Sequence, residues 1–246
     1  DGVLASRGSD FSGILNGIDI EVFNPHTDPK IEKRYMSGSI YNKKNNKLAL
    51  IQELNLDANI DTPIISVISR LTEQKGLDLI MYAIDSIMAK DVCLVVLGSG
   101  DKKYEDFFKH VANQYYRRAY IHTSYNDDLS HRIYAGSDLF LMPSKFEPCG
   151  ISQMIAMRYG TLPIVRETGG LKDTVAPYNK FTGEGTGFSF TNYNADDMLC
   201  AIELAIETFR DPKAFRQIQK QAMAKDFSFA ASAKKYAELY NEMVKS

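Results

Sequence analysis

Two polar segments of this sequence combine residue types that could bind a phosphate and a sugar. The segment SRLTEQKG, residues 69–76, places Arg70 and Lys75 on either side of a turn, with Lys75 directly before a predicted helix. Two cations beside a helix N-terminus favour an anion, because the helix dipole and the free backbone N–H groups add to the charge of the side chains. Two solvated surface cations would give the same pattern.

The segment SKFEPCGIS, residues 144–152, is the more informative of the two. Glu147 is followed by Pro148, which stiffens the turn, and Gly150 allows backbone N–H groups to approach a ligand closely where a helix begins near Ile151. A carboxylate that accepts hydrogen bonds from sugar hydroxyls, beside N–H groups that face a phosphate, would suit a nucleotide-sugar. An isolated and solvated glutamate is the alternative interpretation.

Two further segments could contact a nucleotide. GSGD, residues 98–101, resembles the start of a dinucleotide fingerprint, but Lys103 occupies the position where that fingerprint needs a third glycine. A tight turn between strand and helix explains Gly98 equally well. Tyr125 follows the run AYIHTS and could stack on a nucleobase, or it could be a half-buried packing residue.

These polar segments follow apolar runs that predict buried strands. The runs cover residues 64–69, 93–98, 119–124, 138–144, 161–167 and 185–190. Amphipathic segments separate them, and residues 77–88 show the helical spacing most clearly. Alternating strands and helices predict a doubly wound α/β fold with a parallel sheet. Ligands of such sheets bind beyond the carboxyl ends of the strands, where the polar segments lie.

The chain divides into three predicted regions. Residues 1–60 predict a linker that contains an exposed loop, KKNNK at 43–47, and one short helix, LALIQELNL. We expect residues 61–228 to form the nucleotide-sugar-binding domain and residues 229–246 to form a closing helix with an apolar face. Because the chain begins with Asp1 and no signal sequence follows, we expect this to be the cut end of a longer chain.

Composition limits the partners and the compartment. The 246 residues carry 29 Lys and Arg against 31 Asp and Glu, so no basic field would attract nucleic acid or an anionic membrane. No apolar run approaches the roughly 18 residues that a membrane-spanning helix needs. The three cysteines and four histidines show no spacing typical of a disulfide framework or a metal site, which predicts a reducing compartment and no metal.

Taken in order, the motifs resemble a known family. GILNGIDIEVFNP, SRLTEQKGLDL, LGSGD and the run from HRIYAGSDLF to TGGLKDTV are similar to the carboxyl-terminal half of bacterial glycogen synthases and plant starch synthases. FEPCG followed by MRYGTLPIV is the most specific part. The resemblance implies the Rossmann-like carboxyl-terminal half of a two-domain GT-B glycosyltransferase.

The resemblance also implies an activity. The family transfers glucose from ADP-glucose to the non-reducing end of an α-1,4-glucan, with retention of configuration and without metal or cofactor. It implies a cytoplasmic location in a bacterium, or a plastid if the source is a plant. ADP-glucose, ADP and the glucan are the implied partners, and the glucan is reached through an amino-terminal domain that this chain lacks.

The resemblance assigns roles to individual residues. Arg70 and Lys75 would hold the diphosphate and stabilise the charge that grows on it as ADP leaves. Glu147 would bind glucose hydroxyls, and these three residues form the predicted catalytic set. Tyr125 would stack on the adenine, and Asn16 would reach the sugar from the interdomain hinge. The predicted donor-binding residues are Asn16, Gly98, Tyr125, Cys149, Gly150, Ile151 and Ser152.

Two departures from related families matter. Retaining transferases often place a second glutamate eight positions after the first to hold the ribose, and Ile155 stands there, so the ribose contact is unassigned. The amino-terminal domain, with its donor loop and acceptor groove, is absent, and we therefore expect this chain to be inactive alone. The predicted closing helix, residues 229–246, resembles the segment that crosses back onto that domain in the family.

Three other functions remain as alternatives. A sucrose-type or trehalose-type transferase that uses a UDP-sugar has the same fold, but FEPCG and Ile155 disfavour it. A nucleotide-sugar-binding or regulatory module without catalysis is disfavoured by GILNGID, which looks like a linker to another domain. An NAD-dependent oxidoreductase is disfavoured by Lys103.

Overall fold

A single parallel sheet forms the centre of the computed structural model, which describes residues 11–245 together with Gly2, Ser6 and Gly8. The strands are β1 (Ile64–Ile68), β2 (Cys93–Leu97), β3 (Ala119–His122), β4 (Leu139–Met142), β5 (Leu162–Arg166) and β6 (Phe188–Phe190). They lie in the order β3-β2-β1-β4-β5-β6, and all pairs are parallel. The six predicted strands and the doubly wound fold class are confirmed.

Helices cover both faces of the sheet. The α-helices are α1 (Lys43–Glu53), α2 (Leu77–Met88), α3 (Lys102–Gln114), α4 (Asp127–Gly136), α5 (Ser152–Arg158), α6 (Gly169–Thr174), α7 (Ala195–Phe209), α8 (Pro212–Met223) and α9 (Phe229–Lys245). Two 3₁₀ turns, Ser37–Asn42 and Glu73–Lys75, complete the secondary structure in the described part of the chain. The ends of α2 and the start of α9 match the sequence-based prediction.

Burial on both faces of the sheet explains why the strands are continuous apolar runs. Every residue of β2 and of β4 is buried, as expected for parallel strands covered by helices on both sides. The strand order reverses between β1 and β4, and ligands of open parallel sheets bind at the carboxyl edge near such a reversal. The polar segments after β1 and β4 therefore face one another at the carboxyl edge.

Residues before β1 contribute to the same core. Ile18, Ile31, Tyr35 and Ile40 are buried, and the hydroxyl of Tyr35 donates to the backbone oxygen of Tyr159 at 2.7 Å. The division of the chain at residue 60 remains a prediction. The segment from residue 18 to residue 40 nevertheless packs on the domain and supports its sheet.

The predicted exposed loop KKNNK is wrong. Helix α1 begins at Lys43, and Lys43, Asn46 and Lys47 are buried. Lys47 Nζ lies 2.8 Å from a carboxylate oxygen of Asp138, directly before β4. A run of lysines and asparagines predicts solvated side chains. The acceptors that pair with the buried lysines are distant in sequence, so composition does not reveal them.

Lys43 provides a testable pH dependence of stability. Its ammonium donates to three acceptors. They are the backbone oxygens of Tyr134 and Ala135 in α4 and the hydroxyl of Thr161 directly before β5. Burial lowers the pKa of Lys43 from 10.5 to about 7. Between these two values the unfolded state binds more protons than the folded state, so the free energy of unfolding should rise with pH, by at most about 1.4 kcal/mol per pH unit.

Denaturant unfolding across neutral and mildly alkaline pH checks this expectation. The variant Lys43→Met should lose the rise, whereas Lys44→Met, on the exposed side of the same helix, should retain it. Equal slopes in the two variants would show that Lys43 is not the titrating group.

Helix α9 closes the described chain and presents an apolar face to solvent. Phe229, Tyr240 and Met243 are each at least 60% exposed. The first turn is tied to the segment before β1, because the hydroxyl of Ser232 donates to the backbone oxygen of Leu15 at 2.8 Å. Among the described residues, no helix has the length and apolar character that crossing a bilayer requires.

Candidate functional site

A cavity of about 320 Å³ opens at the carboxyl edge of the sheet. Four residues predicted from the sequence line it: Arg70, Gly98, Tyr125 and Ser152. They come from the loops after β1, β2 and β3 and from the start of α5. The sheet topology therefore brings together residues that are more than 80 positions apart in the chain.

A second group of predicted residues lies on the loops after β1 and β4. Lys75 Nζ is 2.5 Å from Glu147 Oε2, and the hydroxyl of Ser144 donates to the same oxygen at 3.3 Å. The side chains of Lys75 and Glu147 are only 15% and 9% exposed. Glu147 is thus a buried, paired carboxylate, and the alternative of a solvated surface charge is wrong. Among the described residues no hydrogen bond reaches Oε1, which leaves that oxygen able to accept from a ligand.

Close backbone contact fixes the loop that carries Lys75. Gly76 adopts a left-handed φ of 69°, and a Cβ at this position would lie 1.9 Å from the backbone oxygen of Pro143. The 3₁₀ turn Glu73–Lys75 precedes it, and Lys145 N donates to the backbone oxygen of Gln74. The loops after β1 and β4 are therefore docked on one another, which holds Lys75 against Glu147.

Arg166 supports the Glu147 loop from β5. Its guanidinium Nη1 donates to the backbone oxygens of Ser144 and Lys145, at 3.3 and 2.6 Å, and its planar group lies 5.4 Å from the ring centroid of Tyr193. Sequence reasoning missed this role. Arg166 lies in the motif TLPIVRETGG, but nothing in its spacing shows which carbonyls it reaches.

Gln153 supports the other end of the loop. Its side-chain amide donates to the backbone oxygens of Cys149 and Gly150, at 3.2 and 3.1 Å, and also to the hydroxyl of Thr174 at 3.0 Å. Gln153 is fully buried in α5. The loop that contains Glu147 is consequently held from both sides by side chains on rigid elements.

The TGG motif that begins α6 packs directly under this loop. Gly170 N donates to the backbone oxygen of Glu147 at 3.1 Å, and a Cβ on Gly170 would lie 2.0 Å from the backbone oxygen of Cys149. Such an overlap with backbone cannot be relieved by rotating a side chain. Gly170 therefore determines how closely α6 can approach the loop.

Gly170→Ala tests this packing. We expect it to destabilise the fold by roughly 1–3 kcal/mol, as overpacking does, and to weaken nucleotide binding by displacing the loop. Thermal unfolding and a nucleotide titration measure the two effects. Gly38→Ala, at a glycine with open space around it, is the matched control and should change neither. Equal behaviour of the two variants would contradict the proposed contact.

Tyr125 lies on the surface of the cavity and not in the core. Its side chain is 87% exposed, and its hydroxyl donates to Asp127 Oδ1 at 3.3 Å. The alternative of a half-buried packing residue is therefore wrong. Asn126 caps α4, since its side chain accepts from Leu129 N at 2.9 Å. A hydrogen bond from Lys30 lowers the pKa of Asp127, so this cavity wall carries a carboxylate in neutral solution.

The remaining predicted residues do not line the cavity. Cys149, Gly150 and Ile151 follow Glu147 on its loop, and Ile151 is 46% exposed. Asn16 is exposed where residues 15–18 run beside the start of α9. Asn16 is not among the residues that line the cavity, and its contact with the sugar remains a prediction.

Gly98 has a packing role in addition to its place in the cavity wall. A Cβ at this position would lie 1.9 Å from the backbone oxygen of Ser69, so a larger residue would separate the loops after β1 and β2. The close approach to Ser69 therefore accounts for a glycine at position 98, and the tight turn remains a prediction. Its position also leaves room for a ligand beside Arg70.

Sequence reasoning missed much of the cavity wall. Phe23 stacks on the ring of His131, with centroids 4.8 Å apart, and Ile155 contributes an apolar surface where a ribose carboxylate was considered. His131 is bonded through Nδ1 to Asp28 at 2.7 Å and is structural, as predicted. The other unpredicted lining residues are Ile68, Ser69, Leu97, Ser99, Ser124, Asn126, Asp127, Ser130 and Tyr134.

Comparisons with known proteins place the chain among characterised sequences. Residues 52–222 match the family described as "Glycosyl transferases group 1". The chain is 52% identical to the glycogen synthase of Bacillus cereus (strain B4264) over 244 residues, which is 99% of this chain and 51% of that protein. The resemblance inferred from the sequence is thereby confirmed, and the chain spans about half the length of the relatives that it matches.

Solved structures show the same relationship. The catalytic domain of starch synthase IV from Arabidopsis thaliana, bound to ADP and acarbose, superposes with a TM-score of 0.90 at 37% identity, over 100% of this chain and 51% of that one. Sucrose-phosphate synthase from Thermosynechococcus elongatus has a TM-score of 0.68 at 19% identity, over 99% of this chain and 56% of that one, and shows a shared fold only. The GT-B half-fold is confirmed.

Proposed function

The chain belongs to the group 1 glycosyl transferases, and on that premise we propose that it is the donor-binding half of a glycogen synthase. The proposed activity is transfer of glucose from ADP-glucose to the non-reducing end of an α-1,4-glucan, with retention of configuration. An amino-terminal half would supply the acceptor groove. The relatives named glycogen synthase are bacterial, which supports a cytoplasmic location.

The observation that carries the proposal is the Lys75–Glu147 pair at the carboxyl edge. A buried ammonium and a buried carboxylate 2.5 Å apart offer a partner for a phosphate and a partner for sugar hydroxyls at adjacent positions. Arg70 adds a second cation a few residues away, at the mouth of the cavity. A nucleotide-sugar carries a base, a diphosphate and a sugar, and Tyr125, the two cations and Glu147 are the groups that we propose to bind them.

Each part of the donor then has a proposed contact. The adenine lies in the cavity against the exposed ring of Tyr125, and the diphosphate lies between Arg70, Ser152 and Lys75. The glucose reaches the loop that contains Glu147, where the free Oε1 accepts from its hydroxyls. Ile155 occupies the position at which related transferases carry a carboxylate for the ribose. We therefore assign the ribose contact to no residue.

Charge stabilisation is the proposed source of catalysis. As the bond between the anomeric carbon and the phosphate oxygen breaks, its electron pair remains on the phosphate, and negative charge grows beside Arg70 and Lys75. Lys75 is held in place by Glu147 and by the docked loops before the reaction begins, so little reorganisation is needed in the transition state. Glu147 positions the sugar and also orients Lys75.

Calorimetric titration of the chain with ADP-glucose and UDP-glucose tests the donor assignment. ADP-glucose should bind weakly, because this chain spans about half the length of the relatives that it matches and the proposed contacts come from that half alone. It should bind more tightly than UDP-glucose. Tyr125→Ala should weaken binding by about tenfold, as loss of one base-stacking contact does. Tyr82→Ala, at another tyrosine that is 83% exposed, is the control and should have no effect. Tighter binding of UDP-glucose would favour the UDP-sugar transferase instead.

A further inference from the structure

A larger cavity, of about 550 Å³, lies at the amino-terminal edge of the sheet, away from the proposed donor site. Asp138, directly before β4, and Ile60, shortly before β1, lie in its wall. Helix α1 forms one side, and the end of α7 with the start of α8 forms the other. The proposed function uses no residue of this cavity.

The floor of the cavity is apolar, and its polar groups are already paired. Lys47 Nζ contacts Asp138 at 2.8 Å and the backbone oxygen of Ile60 at 2.6 Å. Lys43 donates to three acceptors, and the side-chain amide of Gln219 donates to the backbone oxygen of Gly160 at 2.7 Å. A carbohydrate would find few free partners here for its hydroxyls.

The rim differs from the floor, because it carries unpaired positive charge. Lys44, Arg210 and Arg216 are exposed around the opening, and within the described part of the chain none has an ion pair or a side-chain hydrogen bond. Asp61 is the one acidic side chain of the lining that has no cationic partner there. The opening therefore attracts an anion, and two guanidinium groups are well suited to a phosphate.

Aromatic and aliphatic surfaces lie next to these cations. The ring of Tyr41 is 62% exposed at the opening and offers the main stacking surface. Phe209, with Lys47 Nζ 4.7 Å from its ring centroid, and the largely buried Phe215 and Ile40 continue the lining inward. Flat apolar groups, such as nucleobases, stack on aromatic rings without needing hydrogen bonds. The cavity volume lies inside the range of roughly 300–1,000 Å³ typical of small-molecule sites.

We propose that this amino-edge cavity binds a nucleoside monophosphate, with the phosphate on Arg210, Arg216 and Lys44 and the base against Tyr41 and the apolar floor. The ligand is defined by its chemistry, a phosphate monoester joined to a flat ring. The site is independent of the donor site, because the two lie at opposite edges of the sheet.

Amide NMR of the chain titrated with AMP tests the proposal and locates the ligand. Amides of residues 41–44, 210, 211 and 213–216 should shift saturably. Adenosine or inorganic phosphate alone should bind at least about tenfold more weakly. Arg210→Gln with Arg216→Gln should weaken AMP binding at these amides by about tenfold or more. The control is Lys213→Gln with Lys220→Gln, which also removes two positive charges, but from residues of α8 that do not line this cavity. This control should change AMP binding less than about twofold.

Each outcome decides the question. Shifts confined to Gly98, Tyr125 and the Glu147 loop would overturn the amino-edge site and leave the donor site intact. Equal weakening by the two double variants would show general attraction to a basic surface and not a built site. Inorganic phosphate that binds as tightly as AMP would overturn the role of the apolar floor.

Discussion

The chain alone should bind ADP-glucose but transfer no measurable glucose to a glucan. Its sheet and helices bury a core of their own, so we expect it to fold without a partner domain. Transfer needs the acceptor hydroxyl to be held against the reacting carbon, and such orientation is equivalent to about 7–11 kcal/mol of barrier. This chain spans about half the length of the relatives that it matches, and the proposed donor site by itself does not supply this contribution.

A fusion protein can supply an acceptor-binding half. Joining the amino-terminal half of the Bacillus cereus glycogen synthase to this chain should restore extension of glycogen from ADP-glucose, because the two share 52% identity over the matched half. The assay compares glucose incorporation by the chain and by the fusion, with circular dichroism and nucleotide binding to show that both are folded. Extension by the chain at a rate near that of the fusion would show that the acceptor site has been misplaced.

In that fusion, Lys75→Ala should lower kcat far more than it raises KM for the donor. The charge that Lys75 meets is largest in the transition state, so its removal should cost roughly 2–4 kcal/mol of barrier stabilisation, by analogy with loss of an oxyanion donor. This corresponds to roughly a 30- to 900-fold loss of kcat. Steady-state kinetics with varied ADP-glucose separates the two parameters.

A nearby lysine provides the matched control. Lys145 lies two residues before Glu147, and its side chain is 51% exposed and paired with Glu73 at 3.1 Å. Lys145→Ala should stay within a few-fold of the unaltered fusion. If Lys75→Ala also stays within a few-fold, Lys75 serves only as the partner of Glu147.

Two substitutions of Glu147 distinguish a sugar-binding role from an acid–base role. Glu147→Gln retains an acceptor for sugar hydroxyls and should retain measurable transfer, whereas Glu147→Ala should abolish it. Charge-assisted hydrogen bonds of this kind contribute about 1.5–3 kcal/mol each. Complete inactivation by both substitutions would point to a proton-transfer or nucleophilic role for this carboxylate.

The sheet could be predicted because its signal is local. Strands buried on both faces appear as short apolar runs, and the helix at Leu77–Met88 repeats apolar residues along one face. Parallel topology alone predicts that Arg70, Gly98 and Tyr125 lie at the carboxyl edge of the sheet. Helix α8 was missed, although Asp211 and Pro212 supply its cap and its first residue.

The contacts that position the site could not be predicted, because they join residues distant in sequence. Arg166 reaches two carbonyls on the Glu147 loop, and Gln153 holds the same loop from α5. The burial of Lys43 likewise depends on acceptors about 90 or more positions away. Residue type and spacing identify such side chains as polar, but only the fold shows what they bind.

A crystal structure of this chain with ADP-glucose would show whether Lys75 and Glu147 belong to the donor site. We expect the adenine beside Tyr125, the diphosphate within hydrogen-bond distance of Arg70 and Lys75, and a glucose hydroxyl on Glu147. Density for the nucleotide-sugar that lies elsewhere, with Lys75 and Glu147 still paired only to each other, would contradict the assignment of these residues to the donor site.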